Sequence, residues 1–152
     1  MRFPRSGGTL VHPTSFPGKY GIGDFGYEAR TFINFLADTD QTIWQVLPLT
    51  PTGYGNSPYA SYSAFAGNAY LISPDILLEK NLITPDEAKA AELPNGTEVL
   101  YEEAFEKKDK LYELASARFY DTLSGEDEKK FKKFKKFKYC YPYFCIRIRF
   151  LT

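Results

Sequence analysis

The chain changes its apolar rhythm several times, and each change marks an element. Thr9-Leu10-Val11-His12 is a short β-prone run closed by Pro13, and the stretch from His12 to Gly26 is rich in Gly and Pro, which predicts a strand and then a long loop. From Tyr27 the spacing shifts. Ala29, Phe32, Ile33 and Leu36 fall at i, i+3, i+4 and i+7, on one face of a helix expected to end near Asp38 to Asp40. Thr42-Ile43-Trp44-Gln45-Val46-Leu47 predicts a second strand. Strand, helix, strand in that order is a βαβ unit, whose strands should be parallel and joined by a right-handed crossover, so the expected fold class is α/β.

The second strand stops at Pro48, and Thr50 to Ala69 follow as a loop with Gly53, Gly55, Gly67, Pro51 and Pro58 among its residues. Ordered loops of this length are uncommon and are usually functional. Ser73-Pro74-Asp75 then offers a capping side chain followed by proline at the first helical position, and Thr84-Pro85-Asp86-Glu87 offers a capping box with the same proline. Two short helices should begin there. A longer one is expected from Tyr101 to Tyr120, with Tyr101, Phe105, Tyr112, Ala115 and Phe119 along a stripe and the charges elsewhere. Lys129 to Lys138 reads KKFKKFKKFK, where Phe131, Phe134 and Phe137 recur at helical spacing, and an abrupt change of composition follows from Tyr139.

Composition narrows the function classes. Lys plus Arg and Asp plus Glu each number 19 in 152 residues, so net charge gives no reason to expect nucleic acid or anionic lipid as a partner. No run approaches signal-peptide or membrane-span length, and the expected location is cytoplasmic. The two cysteines, Cys140 and Cys145, form no disulfide framework, and the single histidine, His12, is too far from other ligand types for a metal site. Aromatic residues make up 17% of the chain, with 12 Tyr and 13 Phe, a content that fits either a sugar-binding surface or an aromatic core.

Three candidate sites emerge. Gly21-Ile22-Gly23-Asp24-Phe25-Gly26 has the spacing of a dinucleotide fingerprint, but it does not follow its strand directly and the second strand ends in Val46-Leu47-Pro48 without the acid that would bind a ribose. A tight loop needing positive φ explains it better. His12, at the end of the first strand, either touches a substrate or is a satisfied structural histidine. The Thr50 to Ala69 loop starts at a strand's carboxyl end, where parallel α/β folds place their ligands. Tyr54 and Tyr59 can stack on the apolar face of a pyranose while Asn56 and Ser57 bond its hydroxyls, although a loop that merely packs on itself has the same composition. Retaining glycoside transfer needs two carboxyl groups about 5 Å apart. No such pair is visible: Asp24, Asp38 and Asp40 lie in a loop or at a helix end, and Glu102, Glu103 and Glu106 lie on a charged helix side.

The blocks His12-Pro13-Thr14-Ser15-Phe16-Pro17-Gly18-Lys19-Tyr20-Gly21-Ile22-Gly23-Asp24, Trp44-Gln45-Val46-Leu47-Pro48-Leu49, Pro51-Thr52-Gly53-Tyr54-Gly55-Asn56-Ser57-Pro58-Tyr59 and Ser63-Ala64-Phe65-Ala66-Gly67-Asn68 closely resemble the opening of the amylomaltases, or 4-alpha-glucanotransferases. The likeness is strong from Gly8 to Leu78 and extends to about Phe134. It implies a (β/α)8 barrel with helical insertions, residues 1–134 being its amino-terminal part with the insertion from about residue 73, and residues 135–152 a divergent basic and aromatic tail of the kind a reading-frame slip would produce. It implies a double displacement on maltodextrin or other α-1,4-glucan through a covalent glucosyl enzyme, without organic cofactor or metal. The family's catalytic carboxylates lie on later strands, so no residue here matches them and the piece alone is expected to be inactive. Ser57 and Tyr59 match residues lining the glucose subsite beside the scissile bond, and Asn56, next to Ser57, stands where many members carry Asp. Tyr54 and Tyr101 match aromatics that hold glucan further out. Two rival readings are a stand-alone α-glucan-binding module built on the Tyr-rich loop, and a basic, aromatic tail that adheres to membrane or nucleic acid, against which stands a solvated helix.

Overall fold

A computed structural model describes residues 5–94, 96 and 98–138, with side chains described to Lys135. The chain runs β1 (Gly8–Leu10), α1 (Tyr27–Asp38), β2 (Ile43–Gln45), α2 (Pro74–Glu79), α3 (Pro85–Ala90), α4 (Tyr101–Thr122) and α5 (Gly125–Lys138), with single 3-10 turns at Pro13–Ser15, Tyr54–Asn56 and Ala69–Leu71. β1 and β2 pair in parallel, with Gly8 opposite Ile43 and Leu10 opposite Gln45, as the βαβ pattern requires. Both strands are shorter than expected. Pro13 and Pro48 bring no N–H to the ladder, and His12 has already left the strand to cap the first 3-10 turn, its ring accepting from the Thr14 N–H.

α1 starts at Tyr27 because Asp24 ties its carboxylate to the Gly26 N–H at 2.9 Å, an Asx turn that aims the chain into the helix. It stops where Asp40 takes a left-handed φ of 55° and Gln41 N–H reaches back to the Leu36 carbonyl at 2.8 Å. Ala29 and Leu36 are buried as predicted, but Phe32 is only half-buried and Ile33 is 51% exposed. The expected buried face is therefore only half covered. Phe16, Phe25 and Phe32 gather around Trp44, with ring centroids 5.4 to 6.1 Å from it, and the Trp44 N–H donates to the Val11 carbonyl at 2.9 Å. That bond ties β2 to the end of β1.

The main core lies in the helices. Tyr20, Ile72, Leu77, Leu82, Ile83, Ala88, Ala91, Leu111 and Ala115 form one cluster, with Tyr112 and Phe119 packed on it; Ile22, Leu93 and Ala104 form a second with Tyr101 and Phe105 at its border. Thr84 makes the predicted capping box with Glu87, and the Arg118 guanidinium grips both Glu87 oxygens at 2.5 and 2.6 Å. This fork holds the Glu87 carboxyl down at about 2. Ser73 departs from expectation. It occupies the N-cap of α2 without making a cap bond, because its hydroxyl bonds the Asp24 carboxylate instead. Lys108 departs further, being fully buried within the stripe of α4 that was expected to be apolar. In α5, Phe131 packs edge-on against Phe119 and Tyr120 at 5.5 and 5.7 Å, so the lysine-phenylalanine run is a helix that packs on the end of α4. Cys140, Cys145 and the tail from residue 139 lie outside the described residues.

Candidate functional site

A cavity of about 190 Å³ opens at the carboxyl ends of the two strands. His12, Thr14 and Ser15 supply one wall from the end of β1, Leu47 comes from the end of β2, Thr52, Asn56 and Pro58 from the following loop, and Tyr101 and Phe105 from the first turns of α4. Its lining combines hydroxyl, amide and aromatic groups and carries no carboxylate. Such a wall can hold a neutral polyol by stacking and hydrogen bonds, and it offers no carboxylate to act as the nucleophile or acid/base of a retaining transfer.

The loop owes its shape to its own backbone. Thr52 and Ser61 face each other across an antiparallel bridge, Gly55 and Asn56 take left-handed φ values of 67° and 54°, and Asn68 N–H closes on the Leu49 carbonyl at 3.3 Å. Ser57 Oγ accepts from the Tyr59 N–H at 3.3 Å. The rings are left outside: Tyr54 is 93% exposed and Tyr59 74%, with Tyr62 and Phe65 also exposed. Of the five predicted residues, Asn56 and Tyr101 are brought together on one cavity, Ser57 braces the loop, and Tyr54 and Tyr59 stand on open surface beside it. Loop self-packing therefore accounts for the backbone but not for the exposed rings.

His12 is 8% exposed. Its Nδ1 lies 2.7 Å from the Thr14 hydroxyl and accepts from the Thr14 N–H, which leaves the proton on Nε2. Nε2 is buried without a hydrogen-bond partner, and the Pro48 carbonyl lies close to the ring. Burial holds the imidazole below its ordinary pKa, with that carbonyl pulling the other way. His12 is thus a buried, neutral ring at the end of β1 that lines the cavity and keeps one nitrogen unsatisfied. The glycine run also has a packing role: Gly21 takes a φ of 76°, and a Cβ on Gly23 would stand 2.2 Å from the Pro13 carbonyl oxygen. Among the described residues no group of three or more His, Cys, Asp or Glu is arranged to hold a metal, and no helix is long and apolar enough to cross a membrane.

Sequence reasoning missed the buried Asp24–Lys108 pair. Lys108 Nζ lies 3.2 Å from Asp24 Oδ2 and 3.1 Å from the Tyr70 carbonyl oxygen, and Asp24 is itself only 11% exposed. Burial pushes Asp24 up and Lys108 down, each partly offset by the other's charge. The available signal was the position of Lys108, between Phe105 and Tyr112 on the helix stripe.

A parallel βαβ unit with a cavity and an aromatic loop at the carboxyl ends of its strands is the layout of an α/β protein that takes its ligand there. The chain belongs to the 4-alpha-glucanotransferase family, whose profile matches residues 11–145 and so runs past Phe134. It is 45% identical over 127 residues to a 4-alpha-glucanotransferase of Synechocystis, covering 84% of this chain and 25% of that protein. A 4-alpha-glucanotransferase of Thermus thermophilus is 57% identical over 83 residues, or 55% of this chain and 17% of the relative. Among solved structures, an amylomaltase from Streptococcus agalactiae in complex with acarbose superposes with a TM-score of 0.81 at 39% identity, covering 90% of this chain and 27% of that one. The chain therefore spans about a quarter of the length of these relatives.

Proposed function

We propose that this chain is the substrate-holding portion of a 4-alpha-glucanotransferase barrel, and that it binds α-1,4-glucan without itself cleaving it. In this reading β1, α1 and β2 open a (β/α)8 barrel, and α2 to α4 are an insertion beside its mouth. Ser57, Asn56 and Tyr59 address the glucose next to the scissile bond, and Tyr54 and Tyr101 hold the glucan further out. The observation that carries the reading is the meeting of Asn56, from the loop after β2, with Tyr101, from α4, on one carboxylate-free cavity at the strand ends. The amylomaltase that shares the fold is solved with acarbose, which supports a glucan-like ligand for the family.

The chemistry sets the limit on activity. Retaining transfer needs a nucleophile and an acid/base about 5 Å apart, and binding and proximity do not replace them. Purified chain, free of host enzyme, should form no glucose or longer maltodextrins from maltotriose, while maltoheptaose should shift the amide resonances of Asn56 and Tyr101. Product formation would overturn the inactive reading, and silent resonances at millimolar maltoheptaose the binding one. A self-standing glucan-binding module draws support from the helical core, which is built within the described chain. A cooperative thermal transition of a monomer that binds no hydrophobic dye would favour that module.

A further inference from the structure

The inward side of α4 buries Ala104, Lys108, Leu111 and Ala115, with Tyr101, Phe105, Tyr112 and Phe119 half-buried beside them, and the lysine has no exposed area. Its ammonium reaches Asp24 in the glycine-rich loop and the Tyr70 carbonyl before α2, while Asp24 also holds the Gly26 N–H and the Ser73 hydroxyl. One buried pair thereby joins four segments: the loop before α1, the turn at residue 70, the start of α2, and α4. Two charges withdrawn from water repay little in stability, because desolvation consumes most of their attraction; apolar side chains of equal volume would pack at least as well.

What apolar side chains would not supply is a single register. The later turns of α4 are held by Tyr112, which donates to the Ile72 carbonyl at 2.9 Å, and by Arg118 on Glu87, whereas toward Tyr101 the other inward side chains are apolar or aromatic and a slip by one turn, about 5.4 Å, exchanges one such contact for another. The ion pair does not tolerate the slip, since it would strand a buried carboxylate. Tyr101 and Phe105 stand seven and three residues before Lys108 on the same side of the helix and form the α4 wall of the cavity. Phe105 stacks on Tyr70 with centroids 3.9 Å apart and planes at 19°, and Tyr70 is the residue whose carbonyl Lys108 holds. The ammonium and the ring stack thus fix the same stretch of helix.

We propose that the Asp24–Lys108 pair is a register pin that sets Tyr101 and Phe105 against Asn56 at the cavity, making both members positioning residues for glucan. The consequence for binding rests on the glucan reading above; the consequence for geometry does not.

The test uses the full chain carrying Lys108→Met with Asp24→Asn, which removes both charges and keeps an acceptor for the Gly26 N–H. Thermal unfolding, ring-to-ring nuclear Overhauser contacts between Tyr70 and Phe105, and the Kd for maltoheptaose are compared with the parent. The pin predicts a variant that unfolds as cooperatively as the parent, loses the Tyr70–Phe105 contact, and binds maltoheptaose about tenfold more weakly. A folded variant that keeps the contact and the affinity would overturn the proposal. A variant that fails to fold would overturn it too, since the pair would then be a stability element. If the parent itself binds no maltoheptaose the glucan reading fails, and the ring contact still decides the pin.

Discussion

The helical part and the strand part of this chain solve the burial problem differently. α2, α3 and α4 cover one another: Leu77, Ile83, Leu111 and Ala115 are all at or below 5% exposure. Around β1, α1 and β2, by contrast, Leu10 is 54% exposed, Ile43 45% and Ile33 51%. The first region contains its own partner surfaces; the second has two parallel strands, and parallel sheets are normally covered on both faces. The helical part therefore behaves as a packed core, and the βαβ unit as an open layer that carries the cavity at its edge.

Substitutions should divide along the same line. Leu111→Ala, in the helical core, is expected to cost about 2–5 kcal/mol by urea unfolding, from lost burial plus the cavity left behind. An effect under about 1 kcal/mol would mean that the helices are not one packed unit. Thr84→Ala removes one half of the capping box and should cost about 1 kcal/mol by the same measurement. Glu87 predicts a pH signature of smaller size. Its carboxyl is held at about 2 in the folded chain by Arg118, so its stabilising effect is present above the ordinary value of 4.5 and is lost as pH falls toward 2. Melting temperature should drop across that window in the parent, and Glu87→Gln should flatten that part of the profile. Ile43→Thr, on the open strand face, should change stability least, within about 0.5 kcal/mol. A large loss there would show that the strand face is covered after all.

Much of this contrast was legible in the sequence. The onset of helical spacing at Tyr27, after a Gly- and Pro-rich loop, located α1, and Thr84-Pro85-Asp86-Glu87 located α3 by its cap, because both signals are local. Strand lengths were not legible, since a ladder is set by its partner and by where His12 turns away to cap. Ser73 looked like a helix cap and is one by position, but its hydroxyl goes to Asp24, a choice made by tertiary packing. Lys108 was assigned outward with the other charges, and only Asp24, 84 residues earlier in the chain, explains why it points in. At the cavity, residue types marked the loop after β2, and the family likeness brought in Tyr101; neither indicated that Tyr101 and Asn56 would share a wall while Tyr54 and Tyr59 stayed on the surface.

The central claim is that residues of this chain hold glucan for transfer chemistry supplied by carboxylates elsewhere in the family fold. It is tested most directly by grafting residues 1–120 onto the carboxyl-terminal remainder of the Synechocystis relative and measuring maltotriose disproportionation with and without Tyr59→Ala. The graft should form glucose and longer maltodextrins, and Tyr59→Ala should lower kcat by at least about tenfold, equivalent to roughly 1.4 kcal/mol, at unchanged melting temperature. A folded graft without transfer, or a Tyr59→Ala graft with undiminished kcat, would contradict the account.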